Sequence, residues 1–346
     1  MALVVLLAVQ WLAPPGRRPS PRPPQRSPRV APEPEPLPPI GVVPSRPGLF
    51  DRREDGPTWT LTWGFTDHHD EPLEVTCRIA RDDHERAVAA FGYDEGAVDA
   101  ARAARLRKWA EAALRERGLE GVVHVEVDAE GWQARHELPE NTEAETAARL
   151  DVAARRFYRW MKPAFEEEWS RVTDDLVREK GLRFEGGRLR IDYEGLATRA
   201  SGPLADCYRA LRWAGGRGGD RRLLEVFLAF LQWIPYELPP EERGGPDRFG
   251  LYVPTEVLVG NHGDCDSKAL AFAALWRRIG VPLVLVRVPG HMLLGVAVRP
   301  GPGERFVRLG NRYFVLCEVA GPARRPPGHS DAQGSFEYVL LEPSPP

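Results

Sequence analysis

Regular spacing of apolar residues begins near Thr58. Trp59-Thr60-Leu61-Thr62-Trp63-Gly64-Phe65 alternates apolar with small or polar residues, and Leu73 to Ile79 does so again. Two strands joined across His68-His69-Asp70-Glu71 are expected. Asp82 to Phe91 and Glu95 to Arg117 repeat at helical spacing, the second rich in strong helix formers. Val122 to Val127 and Trp132 to Leu138 predict another hairpin around Glu130-Gly131. Glu143 to Lys180 is a long charged helical stretch carrying Phe157, Tyr158, Trp160, Met161, Phe165 and Trp169 as a packing face. Pro163 should kink or divide it, because proline removes a helix hydrogen bond. Leu182 to Tyr193 predicts a hairpin turning at Gly186-Gly187, and Leu196 to Trp213 a helix.

Gly215 to Gly219 marks a boundary. Beyond it, Arg222 to Trp233 reads as an amphipathic helix ending at Pro235. The connection Glu237 to Gly250 is long for a compact domain, and loops of that length are often functional, so a wall or lid of a cleft is expected here. A helix then runs from Cys265 through Ile279, followed by a Gly280-Val281-Pro282 turn. Strands are expected over Leu283 to Val288, Met292 to Val298 and Arg312 to Val319, the last entered through Gly310-Asn311.

Length argues for two domains, and no internal repeat is apparent. Four stretches of differing character follow: an apolar segment 1–13, a linker 14–56 rich in proline and arginine, an α+β region 57–214 whose role is not legible, and a region 220–342 that carries the chemistry. The apolar segment suggests an export signal or membrane anchor. It lacks a preceding basic residue and is shorter than the ~20 apolar residues a span needs, so a cytosolic chain stays open. The linker cannot bury a core and reads as a solvated tether. A net charge of −3 implies no nucleic-acid partner. Four cysteines far apart make no disulfide framework. Cys77 and Cys207 could pair in an oxidising compartment, but spacing alone does not show it.

The candidate chemistry lies in Gly263-Asp264-Cys265-Asp266-Ser267-Lys268 and in Pro289-Gly290-His291. A thiol attacks as its thiolate, and the first turn of a helix favours that anion, so Cys265 is the expected nucleophile with a lowered pKa. Gly263 is expected to allow a sharp turn before it. The base must come from another element, and His291, opening a buried strand, is the candidate. Glu318, from the next strand, could orient the imidazole. Asp264 and Asp266 read as cap and turn acids, Asp266 being the likelier cap. The bland alternatives are a small buried cysteine, a satisfied core histidine and a surface carboxylate. A zinc site drawn from Cys265, His291, His262 and Cys317 is the chemical rival, but no Cys-x-x-Cys or His-x-x-x-His pair anchors it. His68, His69 and Asp70 read as a solvated turn rather than metal ligands. No metal and no cofactor is expected.

The Gly-Asp-Cys-Asp start, the alanine- and leucine-rich helix, the Gly-Val-Pro turn and Pro289-Gly290-His291 together closely resemble the transglutaminase-like superfamily, in particular its bacterial cysteine-peptidase-like members. Phe230-Leu231-Gln232-Trp233-Ile234-Pro235-Tyr236 and Val253-Pro254-Thr255-Glu256-Val257-Leu258 resemble that family's approach to the nucleophile. The resemblance spans about residues 222 to 342. It implies a papain-related α+β domain, in which a helix bearing the cysteine at its N-terminus packs on an antiparallel sheet, and a Cys265, His291, Glu318 triad. Glu318-Val319-Ala320 departs from the family's usual acid element. The resemblance also assigns Gln232 to the oxyanion hole. The implied activity is that of a cysteine peptidase or amidase acting on peptide or protein amides. Transglutaminase or deamidase activity, and a catalytically silent binding or assembly module, are the alternatives.

Overall fold

A computed structural model describes residues 47–138, 142–240, 245–321, 324–330 and 336–341. The apolar segment and the linker up to residue 46 lie outside the described residues. Among the described residues no helix is long and apolar enough to cross a membrane.

The chain first forms a three-stranded antiparallel sheet in the order β1 (Phe50–Asp55), β2 (Thr58–Thr66), β3 (Pro72–Ala80). Leu61, Trp63 and Phe65 of β2 and Val75, Cys77 and Ile79 of β3 are buried, the every-second-residue pattern of a sheet with one covered face. β1 corrects the expected linker, which ends earlier than residue 56. Its six residues, five of them charged, pair with β2 across the whole strand, Phe50 opposite Trp63.

Helices α1 (Arg81–Ala90) and α2 (Glu95–Glu116) follow, with Asp94 capping α2 by accepting from the Ala97 amide. Strands β4 (Val123–Val127) and β5 (Trp132–His136) pair, and α3 (Ala144–Glu179) runs 36 residues. Pro163 does not divide α3. Met161 and Phe165, on either side of it, pack into one core with Leu106, Phe157 and Val172, so both halves of the helix are held on the same surface. The Gly92 amide donates to the Lys180 carbonyl at 3.2 Å, at the foot of this second core.

After the hairpin β6 (Leu182–Glu185) and β7 (Arg188–Ile191), one helix was expected and two form: α4 (Tyr193–Ser201) and α5 (Ala205–Ala214). Pro203 stands between them and supplies no amide to carry a helix through. A Cys77–Cys207 disulfide, Cα–Cα 4.9 Å, ties β3 to α5.

Helices α6 (Gly219–Trp233), α7 (Pro254–Gly260) and α8 (Cys265–Trp276) come next, α8 ending in a short 3-10 turn. Every residue of α8 except Asp266 is buried. Such a helix, apolar all round, has to be enclosed, and α4, α5, α6, α7 and a strand of the last sheet pack around it. That sheet is five-stranded and antiparallel, ordered β10-β11-β9-β8-β12 from β8 (Leu283–Val288), β9 (His291–Val296), β10 (Phe306–Leu309), β11 (Arg312–Cys317) and β12 (Glu337–Leu341). The molecule is mixed α+β with antiparallel sheets. Trp63 meets Phe230 edge-on at 5.1 Å, and Phe227 meets Trp276 at 5.7 Å. The first sheet, α6 and α8 therefore share one core, which the glycine-rich segment at 215–219 does not interrupt.

Candidate active site

Cys265 is the first residue of α8, and Asp264 is its cap, accepting from the Ser267 amide at 3.0 Å. This corrects the choice of Asp266 as the capping acid. Asp266 points at the thiol instead: Cys265 Sγ donates to its Oδ1 at 3.3 Å, and the Tyr193 hydroxyl donates to its Oδ2 at 3.0 Å. Gly263 is not in the left-handed region; its value is room, since a Cβ there would lie 3.3 Å from Val257 Cγ2 and 3.4 Å from Lys268 Cγ. Tyr252 N–H donates to the buried Ser267 hydroxyl at 2.9 Å, pinning the approach to α7 against α8.

The thiol is not acidic in this arrangement, contrary to the expectation from its helix position. Burial, then the Asp266 charge, pushes it up to about 12, while the Met292 amide, donating to the sulfur, pulls the other way. A first-turn position is worth at most ~1–2 kcal/mol to an anion, and enclosure plus an adjacent carboxylate outweigh it.

His291 opens β9, so its neighbour Met292 is the residue whose amide meets the sulfur. Its Nε2–H donates to Glu318 Oε2 at 2.7 Å, which leaves Nδ1 as the atom able to take the thiol proton. The Glu318 carboxylate raises the imidazole pKa, against burial. Glu318 lies one residue past the end of β11 rather than within the strand. Its Oε1 accepts from the Ala320 amide at 3.0 Å, which fixes the carboxylate facing His291.

Gln232 is buried, but its amide is already committed. Nε2 donates to the Glu318 carbonyl at 2.6 Å and to the Arg325 carbonyl at 2.9 Å. Both amide hydrogens are therefore spent, and Gln232 is not free to donate to an oxyanion. It holds the chain segment that carries Glu318. Gly321 shows how closely that segment lies against α6: at φ +59°, a Cβ would sit 2.5 Å from the Gln232 carbonyl oxygen. His68 Nε2, from the β2–β3 turn, donates to Gln232 Oε1 at 3.0 Å. Burial lowers its pKa, consistent with a neutral ring in that tautomer. His68 was read as a solvated turn residue; it is part of the support of the site.

Three further neighbours are not among the expected site residues. Tyr236, about half exposed, has its phenol pKa raised by burial and then by the charges at Cys265, Asp264 and Asp266. Tyr193 reaches Asp266 from α4. Lys268, one turn along α8 from the thiol, is fully buried and bonds the Ile234 and Ala320 carbonyls. The helical period could have flagged Lys268, since a lysine in an otherwise apolar buried helix needs a partner.

The rival zinc set is not assembled. His262 pairs with Glu237 at 3.1 Å and stacks on Tyr252 at 4.6 Å. Among the described residues, the group whose potential ligand atoms converge within 4.8 Å is Asp264, Cys265 and Asp266, where the thiol is already bonded to Asp266. No family model, curated protein or solved structure matches the chain.

Proposed function

We propose that the protein is a thiol-dependent acyl-transfer enzyme, a cysteine peptidase or amidase with a papain-like, transglutaminase-like catalytic region. The observation that carries this reading is the 2.7 Å bond from His291 Nε2 to Glu318 at the head of β9, where the next residue, Met292, donates its amide to the buried thiol at the start of α8. Attack on an amide carbonyl is coupled to transfer of the thiol proton to His291 Nδ1. Glu318 then stabilises the imidazolium. The Cys265 amide, in the unbonded first turn of α8, donates to the oxyanion. The imidazolium gives its proton to the leaving amine, and a thioester remains on Sγ. Water, deprotonated by His291, releases the acid and restores the thiol. An amine in place of water would give transamidation.

One observation favours the silent assembly module instead: the resting thiol is raised and bonded to Asp266. The two readings part in one experiment. The protein is incubated with a library of peptides and amides, with Cys265→Ala as blank, and intact mass is read during turnover. An acyl adduct on Cys265 with product release supports the enzyme. Neither adduct nor product across the library sinks it.

A further inference from the structure

The site holds a buried cation that the relay does not use. Lys268 is 0 % exposed and, among the described residues, has no carboxylate bonded to it; its Nζ donates to the Ala320 carbonyl at 2.8 Å and to the Ile234 carbonyl. An ammonium taken out of water and bonded only to neutral carbonyls is costly, and a neutral donor could make the same links. The chain also uses lysine sparingly: of 47 cationic residues four are lysine, at positions 108, 162, 180 and 268.

We propose that Lys268 is a positioning residue and charge partner of the active site, holding the Glu318 segment to the nucleophile's helix and offsetting the carboxylates that surround the thiol. The inference rests on the acyl-transfer reading. The mechanical part is a short chain of bonds. Lys268 fixes the Ala320 carbonyl, the amide of the same residue fixes Glu318 Oε1, and Glu318 Oε2 receives His291. Because Lys268 and Cys265 are on the same helix one turn apart, this chain sets the acid and the nucleophile in one frame. The electrostatic part follows from the groups that face Nζ: Asp264 and Cys265 on α8, and Glu318 beyond β11. With Asp266 beside the thiol and Asp264 before it, a thiolate would meet two carboxylates. The ammonium is a fixed positive charge that acts on the thiol, Asp264 and Glu318 together. Burial pulls Lys268 down to about 8, opposed by Asp264 and then Glu318, so most of the charge is present at neutral pH.

The test separates donor from charge. Lys268→Gln keeps donors and loses the charge; Lys268→Met loses both. Alkylation of Cys265 by iodoacetamide is followed against pH, a readout that needs no substrate. Both variants should raise the apparent thiol pKa by about one unit, seen as ~10-fold slower alkylation at a fixed pH below it. The downfield proton resonance of the His291–Glu318 bond should persist in Lys268→Gln and be lost in Lys268→Met. A wild-type alkylation profile in Lys268→Gln overturns the charge role; an intact resonance in Lys268→Met overturns the positioning role. Should neither variant fold, 15N-lysine NMR of the wild type decides. A Nζ signal titrating below the other three, and lower still in Glu318→Gln, supports the proposal; four coincident titrations overturn it. Failure of the acyl-transfer reading is seen separately, as turnover retained in Cys265→Ala or absent from the wild type.

Discussion

Cys265 Sγ donates to the carboxylate of the next residue, Asp266, at 3.3 Å. A helix start that should favour the thiolate thus carries its own opposing charge. The resting thiol is protonated, and the proposed acyl-transfer function requires that this bond break before an ion pair with His291 forms. Asp266→Asn should lower the thiol pKa by about a unit and speed alkylation at pH 8 several-fold. A wild-type midpoint at or below the free value of about 8.5 would show that the imidazolium already dominates.

Glu318→Gln should lower turnover on the order of a hundredfold, less than Cys265→Ser, because an orienting group is less sensitive than a nucleophile. It should also lower the His291 pKa. The folded-state imidazole is raised above about 6.5, so its pairing stabilises the protein fully below that pH, and the contribution fades as pH rises through the folded value. The variant should lose most stability near pH 5 and little above pH 8. NMR titration of His291 and urea unfolding at both pH values measure this.

Gln232→Ala should behave as a stability variant. It removes the bonds that Gln232 makes to the Glu318 carbonyl, the Arg325 carbonyl and His68 Nε2, at about 1–3 kcal/mol for each group that water cannot reach. An oxyanion donor would behave differently, lowering kcat with urea unfolding unchanged.

Replacing Cys77 and Cys207 together by alanine should cost about 2–5 kcal/mol, because the bond closes a long loop, 130 residues in sequence separation. The alkylation profile of Cys265 should not move. A changed profile would mean that the tie between β3 and α5 reaches the site.

Elements whose pattern is local were legible in the sequence. β8 was read with its observed bounds, since a run of Leu and Val between a Gly-Val-Pro turn and Pro289-Gly290 leaves little choice. β1 was not, because every residue after Phe50, from Asp51 to Asp55, is charged and gives no apolar alternation; partnership with β2 makes it a strand. The residue types at Cys265, His291 and Glu318 marked them as candidates in the sequence. The bonds of Gln232 and Lys268 did not, because their partners lie 52 to 93 residues away for the Lys268–Ala320 and Gln232–Arg325 bonds. Thiol acidity was misread for the same reason: enclosure is a property of the whole fold.

The single hydrogen bond from Gly92 to Lys180 has an architectural consequence. The chain leaves at Gly92 and returns at Lys180 through one doorway, and the residues between enclose a core of their own built on Leu106, Phe157, Met161 and Phe165. None of Cys265, His291, Glu318, Gln232, Lys268 or His68 belongs to that excursion. It is an excursion tied back at its ends, by Val177 in the main core and by Tyr93 paired with Asp247, so its length can change between those anchors while the candidate site residues stay on the elements that hold them.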